Sequence, residues 1–262
     1  MPVAPNKALG QHWLHDVDTL EAIVNAASLE PTDTVLEIGP GLGTLTDKLL
    51  QVAKEVIAVE YDHVLAQNLT KKYKNTANVT ITEHDILTFD LTKLPKNYII
   101  VANIPYYLTS KLVRILCESA NPPKRAVLLV QKEVARRIAA KAGDMSILSV
   151  SAQVYNNVSL GVNVKADMFT PPPKVDSQVV ILERRSQPLV ELAIMPLFFR
   201  VVKAGFSERR KKLRSSLSGG LILPKDKVDE LLAKSNINPN ARAQELSIED
   251  WLNLVKNYKS AV

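Results

Sequence analysis

The sequence contains no stretch of about 18 consecutive apolar residues, the length a membrane-spanning helix needs. Its first residues, Met1-Pro2-Val3-Ala4-Pro5-Asn6-Lys7, lack the apolar core of a secretory signal and the arginines of a transit peptide, so no membrane association is expected. There is one cysteine, Cys117, which excludes an internal disulfide and a multi-cysteine metal centre and fits a reducing cytoplasm. Cys117 shares an apolar helix face with Leu112, Val113 and Leu116, so it is expected to pack. His15, His63 and His84 lack metal-ligand spacing, and no metal site is expected. Internal repeats and low-complexity tracts are also missing.

What is present is an ordinary globular composition, 46% hydrophobic and 23% charged over 262 residues, enough for one large domain and a small one. Charge is unevenly placed. Residues 1–184 carry 19 basic and 19 acidic side chains, whereas residues 185–262 carry 14 and 8, so the whole formal +6 lies in the last third. A neutral body with a basic appendage points to a polyanionic partner held by the appendage.

The first 140 residues alternate between β-rich runs (34–38, 56–61, 79–82, 98–102, 126–130) and helical stretches (45–51, 64–73, 110–118, 133–141). An opening helix over 19–27 has Asp18 as its expected cap. Near-continuous apolar strands separated by helices predict a parallel sheet covered on both faces, an α/β class. Period-2 patterning over 147–154, 158–164 and 178–183 predicts further strands, at least one antiparallel. A proline-fixed loop, Phe169–Ser177, lies among them. From Leu189 onward the pattern is helical (189–204, 207–217, 225–235, 248–256), with Ser247 capping the last helix. The expected boundary is 184/185: an α/β domain over 1–184 and a helical, basic docking domain over 185–262.

Gly39-Pro40-Gly41-Leu42-Gly43 follows the strand Thr34–Ile38 and opens a helix. The spacing lacks the step that seats a pyrophosphate on a helix N-terminus, and Glu37 at the strand end would repel one. A cofactor with a cationic centre and no phosphate fits better, which points to S-adenosyl-L-methionine. Glu60, ending the second strand, suits a ribose diol, and Asp85, after the third, an adenine amine. Asn103-Ile104-Pro105-Tyr106 ends the strand Tyr98–Ala102. It offers an amide oxygen, a carbonyl freed by the proline and an aromatic face, groups suited to gripping the exocyclic amine of a base. Tyr107 is expected to pack, as is Trp251 in the last helix.

Assembled in order, these motifs resemble the ribosomal RNA adenine N6,N6-dimethyltransferases, closest to the bacterial small-subunit type. The likeness rests on Lys7–Leu14, Glu37–Gly43, Asn103–Tyr106, Phe169–Ser177, Lys203–Lys211 and Arg242–Ser247, and covers almost the whole chain. It implies a Rossmann-like, seven-stranded class I methyltransferase sheet with one reversed strand and a small all-α C-terminal domain. It implies cofactor contacts at His12, Leu14, Gly39, Glu60, Asp85 and Asn103, with Gly41 in the same loop. It implies that Tyr106 and Phe169 sandwich the target adenine, with Asn103, Ile104 and Pro105 completing the catalytic turn. Trp13 stands where the family usually has phenylalanine, Gln244 where glutamate is usual, and His12 where asparagine is often found. The implied partners are small-subunit ribosomal RNA and the assembling 30S particle, and a monomer is expected.

Arg200, Lys203, Arg209, Arg210, Lys211, Lys212 and Arg214 fall within fifteen positions, opposed along the run only by Glu208. They are expected to meet phosphates, and Lys132, Arg136 and Arg137 could extend the footprint. The rival readings are a large-subunit rRNA dimethyltransferase conferring antibiotic resistance, a DNA adenine methyltransferase, and an assembly factor acting mainly by binding. Phe169–Ser177 and Arg242–Ser247 favour the small-subunit type.

Overall fold

In the computed structural model, residue 5 and residues 9–208 and 210–259 are described. Lys7 and Ala8 of the N-terminal motif and Arg209 of the basic run lie outside these residues. The chain divides into two compact units, Met1–Arg136 with Asn157–Arg184, and Arg137–Asn156 with Arg185–Val262.

In the first unit, β1 (Trp13–Leu14) precedes α1 (Val17–Ala27). Asp16, not Asp18, caps α1, because its carboxylate accepts from both the Thr19 N–H at 2.9 Å and the Thr19 hydroxyl. Asp18 then lies in the first turn, where the helix dipole favours it. There follow β2 (Thr34–Ile38), α2 (Thr44–Leu49), β3 (Glu55–Glu60), α3 (His63–Lys72), β4 (Val79–Glu83), β5 (Ile99–Asn103), α4 (Thr109–Glu118), β6 (Arg125–Gln131) and α5 (Lys132–Ile138). After α6 (Ile147–Tyr155), the strands β7 (Asn156–Val164), β8 (Phe169–Thr170) and β9 (Ser177–Arg184) complete the set.

Seven strands form one sheet in the order β4-β3-β2-β5-β6-β9-β7. β2 through β6 pair in parallel and β9 runs antiparallel to β6. Val35, Leu36, Ile99, Ile100, Val101 and Val127 are fully buried, as expected for strands covered on both faces. A separate ribbon joins β1 to β8, pairing Leu14 with Phe169.

Residues 147–154 form the helix α6, not the expected strand. Their apolar positions fit both periods, and the Ser146 and Ser149 side chains decide between them by capping each other's main-chain N–H groups, at 2.7 and 3.2 Å. α6 belongs to the second unit with α7 (Met195–Gly205), α8 (Leu213–Leu221), α9 (Lys225–Lys234) and α10 (Ile248–Lys259). This departs from the 184/185 boundary by moving 137–156 to the helical unit. The Gln244 carbonyl accepts from the Gly143 and Met145 N–H groups, both at 3.0 Å, and pins that segment there. The contact is main-chain, so glutamine in place of glutamate changes little. Ser247 caps α10 as expected. Trp251 is fully buried, against Gly205, where a Cβ would stand 2.3 Å from the indole.

Candidate functional site

The site lies at the carboxyl ends of β2, β3, β4 and β5, where open α/β sheets bind ligands. After Ile38 the chain turns through Gly39, Gly41 and Gly43 with φ of 67°, 59° and 79°, a conformation glycine adopts without strain. The Gly39 N–H donates to the Val59 carbonyl at 2.9 Å, and the Gly41 N–H donates to Glu60 Oε2 at 3.0 Å. Glu60 Oε1 accepts from the Asp62 N–H at 2.9 Å. Glu60 therefore ties the loop after β2 to the loop after β3 while lining the cleft. Burial pushes its carboxyl up, against the opposing effect of those N–H donors.

Glu37 is 1% exposed and accepts from the Thr46 hydroxyl at 2.6 Å. Burial pushes its carboxyl up to about 8, so at neutral pH it is mostly protonated. It is not the fixed negative charge that the argument against a pyrophosphate assumed. A different observation takes its place: no lysine or arginine lines the cleft or the hollow beside it among the described residues. Among the described residues the lining thus offers no lysine or arginine to phosphates.

Two hollows meet at Gln11, Gly39 and Pro105. One is lined by Trp13, Leu14, Glu37, Gly41, Glu60 and Asn103, among others. The second is lined by Tyr61, His84, Asp85, Ile86 and Tyr107. Asp85 uses one carboxylate oxygen to accept the Leu87 N–H at 2.9 Å. Tyr107 is 64% exposed and Tyr61 is 61% exposed. Tyr107 is thus a wall of the hollow and not the packing residue expected. Tyr61 was missed, though its place directly after the carboxylate ending β3 was a usable signal.

Asn103 ends β5, and its Nδ2 donates to the main-chain carbonyl of His12 at 3.1 Å. That bond turns Oδ1 away as the amide's accepting atom. The Ile104 N–H donates to the Leu129 carbonyl at 3.2 Å, while proline at 105 releases the following chain from the sheet. The Tyr106 ring stacks with His12, centroids 5.9 Å apart, and its hydroxyl lies 2.8 Å from Ser177 Oγ. His12 Nδ1 donates to the Pro171 carbonyl at 2.6 Å. The segment from His12 to Leu14 is thus strapped to the loop after β8. Phe169 stands apart from the expectation. It is 3% exposed, packed in the core with Leu14, Leu20 and Ile23, and does not line the cleft.

In the second unit, Arg200, Lys203, Arg210, Lys211 and Lys212 are exposed. The run is opposed by more than Glu208. Arg214 makes a two-pronged pair with Asp229, at 2.5 and 2.6 Å, and Lys211 pairs with Glu208. Lys212 donates to Asn240 at 2.6 Å. Arg200, Lys203 and Arg210 have no ion-pair partner among the described residues.

A parallel sheet with one reversed strand, carrying a cleft at its carboxyl ends beside an Asn-Ile-Pro-Tyr turn, defines a class I methyltransferase fold. The family model of ribosomal RNA adenine dimethylases matches residues 4–260, and the chain belongs to that family. The ribosomal RNA small subunit methyltransferase A of Dehalococcoides mccartyi is 44% identical over 255 residues, covering 96% of this chain and 88% of the relative. A crystal structure of a dimethyladenosine transferase from Plasmodium falciparum matches with a TM-score of 0.82 at 29% identity, covering 95% of this chain and 98% of that one. The 23S rRNA methyltransferase ErmE matches with a TM-score of 0.76 at 30% identity, covering 94% and 99%.

Proposed function

We propose that this chain dimethylates N6 of two adjacent adenines near the 3′ end of small-subunit ribosomal RNA, acting as a cytoplasmic monomer on the assembling 30S particle. The methyl donor is S-adenosyl-L-methionine, which supplies an electrophilic methyl on a sulfonium and leaves as a neutral thioether. The residues fit it. The Gly39–Gly43 turn leaves room for close approach, the Glu60 oxygens can accept from ribose hydroxyls, and Asp85 lies where it can accept an adenine amine.

The observation that carries the reading is the orientation of Asn103. Adenine N6 is a poor nucleophile because its lone pair is conjugated into the ring. With Nδ2 committed to the His12 carbonyl, Oδ1 accepts one amine hydrogen and the Ile104 carbonyl the other. The nitrogen is drawn toward a pyramid with its lone pair aimed along the transfer direction. No strong base is required, because the methylated amine sheds its proton to water afterwards. Positioning is the main catalytic contribution and can supply on the order of 7–11 kcal/mol. Tyr106 gives the unstacked base a face, worth roughly 1–3 kcal/mol. Docking falls to the cations of the second unit. Phe169 joins Tyr106 at the base only if the β1–β8 ribbon opens.

Primer-extension mapping of unmethylated small-subunit RNA, incubated with the purified protein and methyl donor, tests this. Stops at adjacent adenines in that RNA, and none in large-subunit RNA, are expected. Stops confined to large-subunit RNA would replace the reading with that of the ErmE-like relatives.

A further inference from the structure

One residue lining the cleft, Trp13, carries a polar atom with no task in the reading above. Its Nε1 is buried and has no hydrogen-bond partner among the described residues. An indole N–H is a donor only, and a buried donor left unpaired lowers stability. Phenylalanine would bury the same face without that cost.

The place of the donor narrows what it could meet. Trp13 lines the hollow that contains Glu37, Gly41 and Asn103. It does not line the one containing Asp85, Tyr61 and Tyr107. A Cβ on Gly41 would stand 3.5 Å from Nε1 and 3.4 Å from Cδ1, so the indole edge rests over the bare turn of the glycine loop. The main chain beneath is fixed by pairing of Trp13 with Thr170.

We propose that the Trp13 indole N–H is a hydrogen-bond donor to the carboxylate of the cofactor's amino-acid tail. This rests on the S-adenosyl-L-methionine reading. If the adenine and ribose lie toward Asp85 and Glu60, the tail runs to the Trp13 side of the glycine turn. Of the tail's two charged groups, only the carboxylate accepts. The ammonium, a donor itself, is excluded. No lysine or arginine lines the cleft among the described residues, so an indole donor fills a role that a cation would otherwise take. The N–H is buried beside the Gly41 turn, and the carboxylate reaches it by parting the indole from that turn. Binding therefore changes the indole's surroundings.

Calorimetry on native protein and Trp13→Phe, using S-adenosylhomocysteine and 5′-methylthioadenosine, separates the outcomes. The second ligand has the adenosine and sulfur but no amino-acid tail. The substitution should weaken S-adenosylhomocysteine by about tenfold, the worth of one charge-assisted bond, and leave methylthioadenosine within about twofold. Equal losses for both ligands would make Trp13 a packing residue, and no loss for either would also overturn the proposal. A native protein that binds neither ligand would instead overturn the cofactor reading. A second readout needs no Trp13 variant. The chain has two tryptophans, and Trp251→Phe identifies the Trp13 indole N–H resonance. That resonance should move downfield with S-adenosylhomocysteine and stay in place with methylthioadenosine. An unmoved resonance under saturating S-adenosylhomocysteine contradicts the proposal.

Discussion

The phenol of Tyr106 and the hydroxyl of Ser177 lie 2.8 Å apart, joining the turn after β5 to the first residue of the reversed strand β9. Ser177 is fully buried, directly opposite Gln131 of β6. The ring proposed to hold the target base is thus fixed at its outer end by the sheet. One neutral hydrogen bond is worth about 0.5–1.5 kcal/mol. Ser177→Ala and Tyr106→Phe should each slow methyl transfer by about 3–10-fold. The double variant should be little worse than either single one, because both remove the same bond. Additive losses in a double-mutant cycle would show the contact to be incidental.

Glu60 has two tasks, and its replacement should show both. Glu60→Ala leaves the Gly41 and Asp62 N–H groups without their acceptor, at a cost of about 1–3 kcal/mol in stability. Binding of S-adenosylhomocysteine should weaken as well, by roughly tenfold or more. Urea unfolding and calorimetry measure the two separately. Unchanged values in both would remove Glu60 from the site.

Glu37 gives stability a pH dependence whose sign is fixed by burial. Its carboxyl rises from 4.5 to about 8 on folding, so between those values the native state holds a proton that the unfolded state has lost. The contribution is therefore fully favourable below the unfolded value and declines as pH rises toward the folded one. The slope from this group is at most about 1.4 kcal/mol per pH unit. Glu37→Gln should flatten the decline in urea stability across that window. A variant whose profile parallels the native one would contradict the assignment.

The basic run should act through its unpaired members. Replacing Arg200, Lys203 and Arg210 by alanine should lower the log–log salt slope of RNA binding by about two to three units. Arg214→Ala should change it less, because Asp229 already engages that guanidinium. Affinity for S-adenosylhomocysteine should be unaffected, since the cleft belongs to the other unit. Equal slopes for the native and triple-variant proteins would make this a solvated surface.

Strands β2, β3, β5 and β6 were legible because a parallel sheet buried on both faces demands near-continuous apolar runs. The glycine turn and the Asn103–Tyr106 turn were legible because their geometry is local. The misreading of 147–154 came from a segment whose apolar spacing fits two periods; the deciding signal was polar, Ser146 and Ser149. What depended on distant partners stayed hidden. Ser177 meets Tyr106 across 71 positions, and Asp229 neutralises Arg214 from another helix. Phe169 became core through its pairing with Leu14. Glu37 reads as a charge in any sequence and loses it only through burial.

The most direct test of the whole account is methyl transfer by Asn103→Ala to a small-subunit RNA fragment, measured beside RNA affinity. Asn103 is proposed to orient the adenine amine and takes no part in docking. Dimethyladenosine formation should therefore fall below detection while the dissociation constant for RNA stays within about twofold. Activity retained within about tenfold of native, or RNA affinity collapsing together with activity, would contradict it.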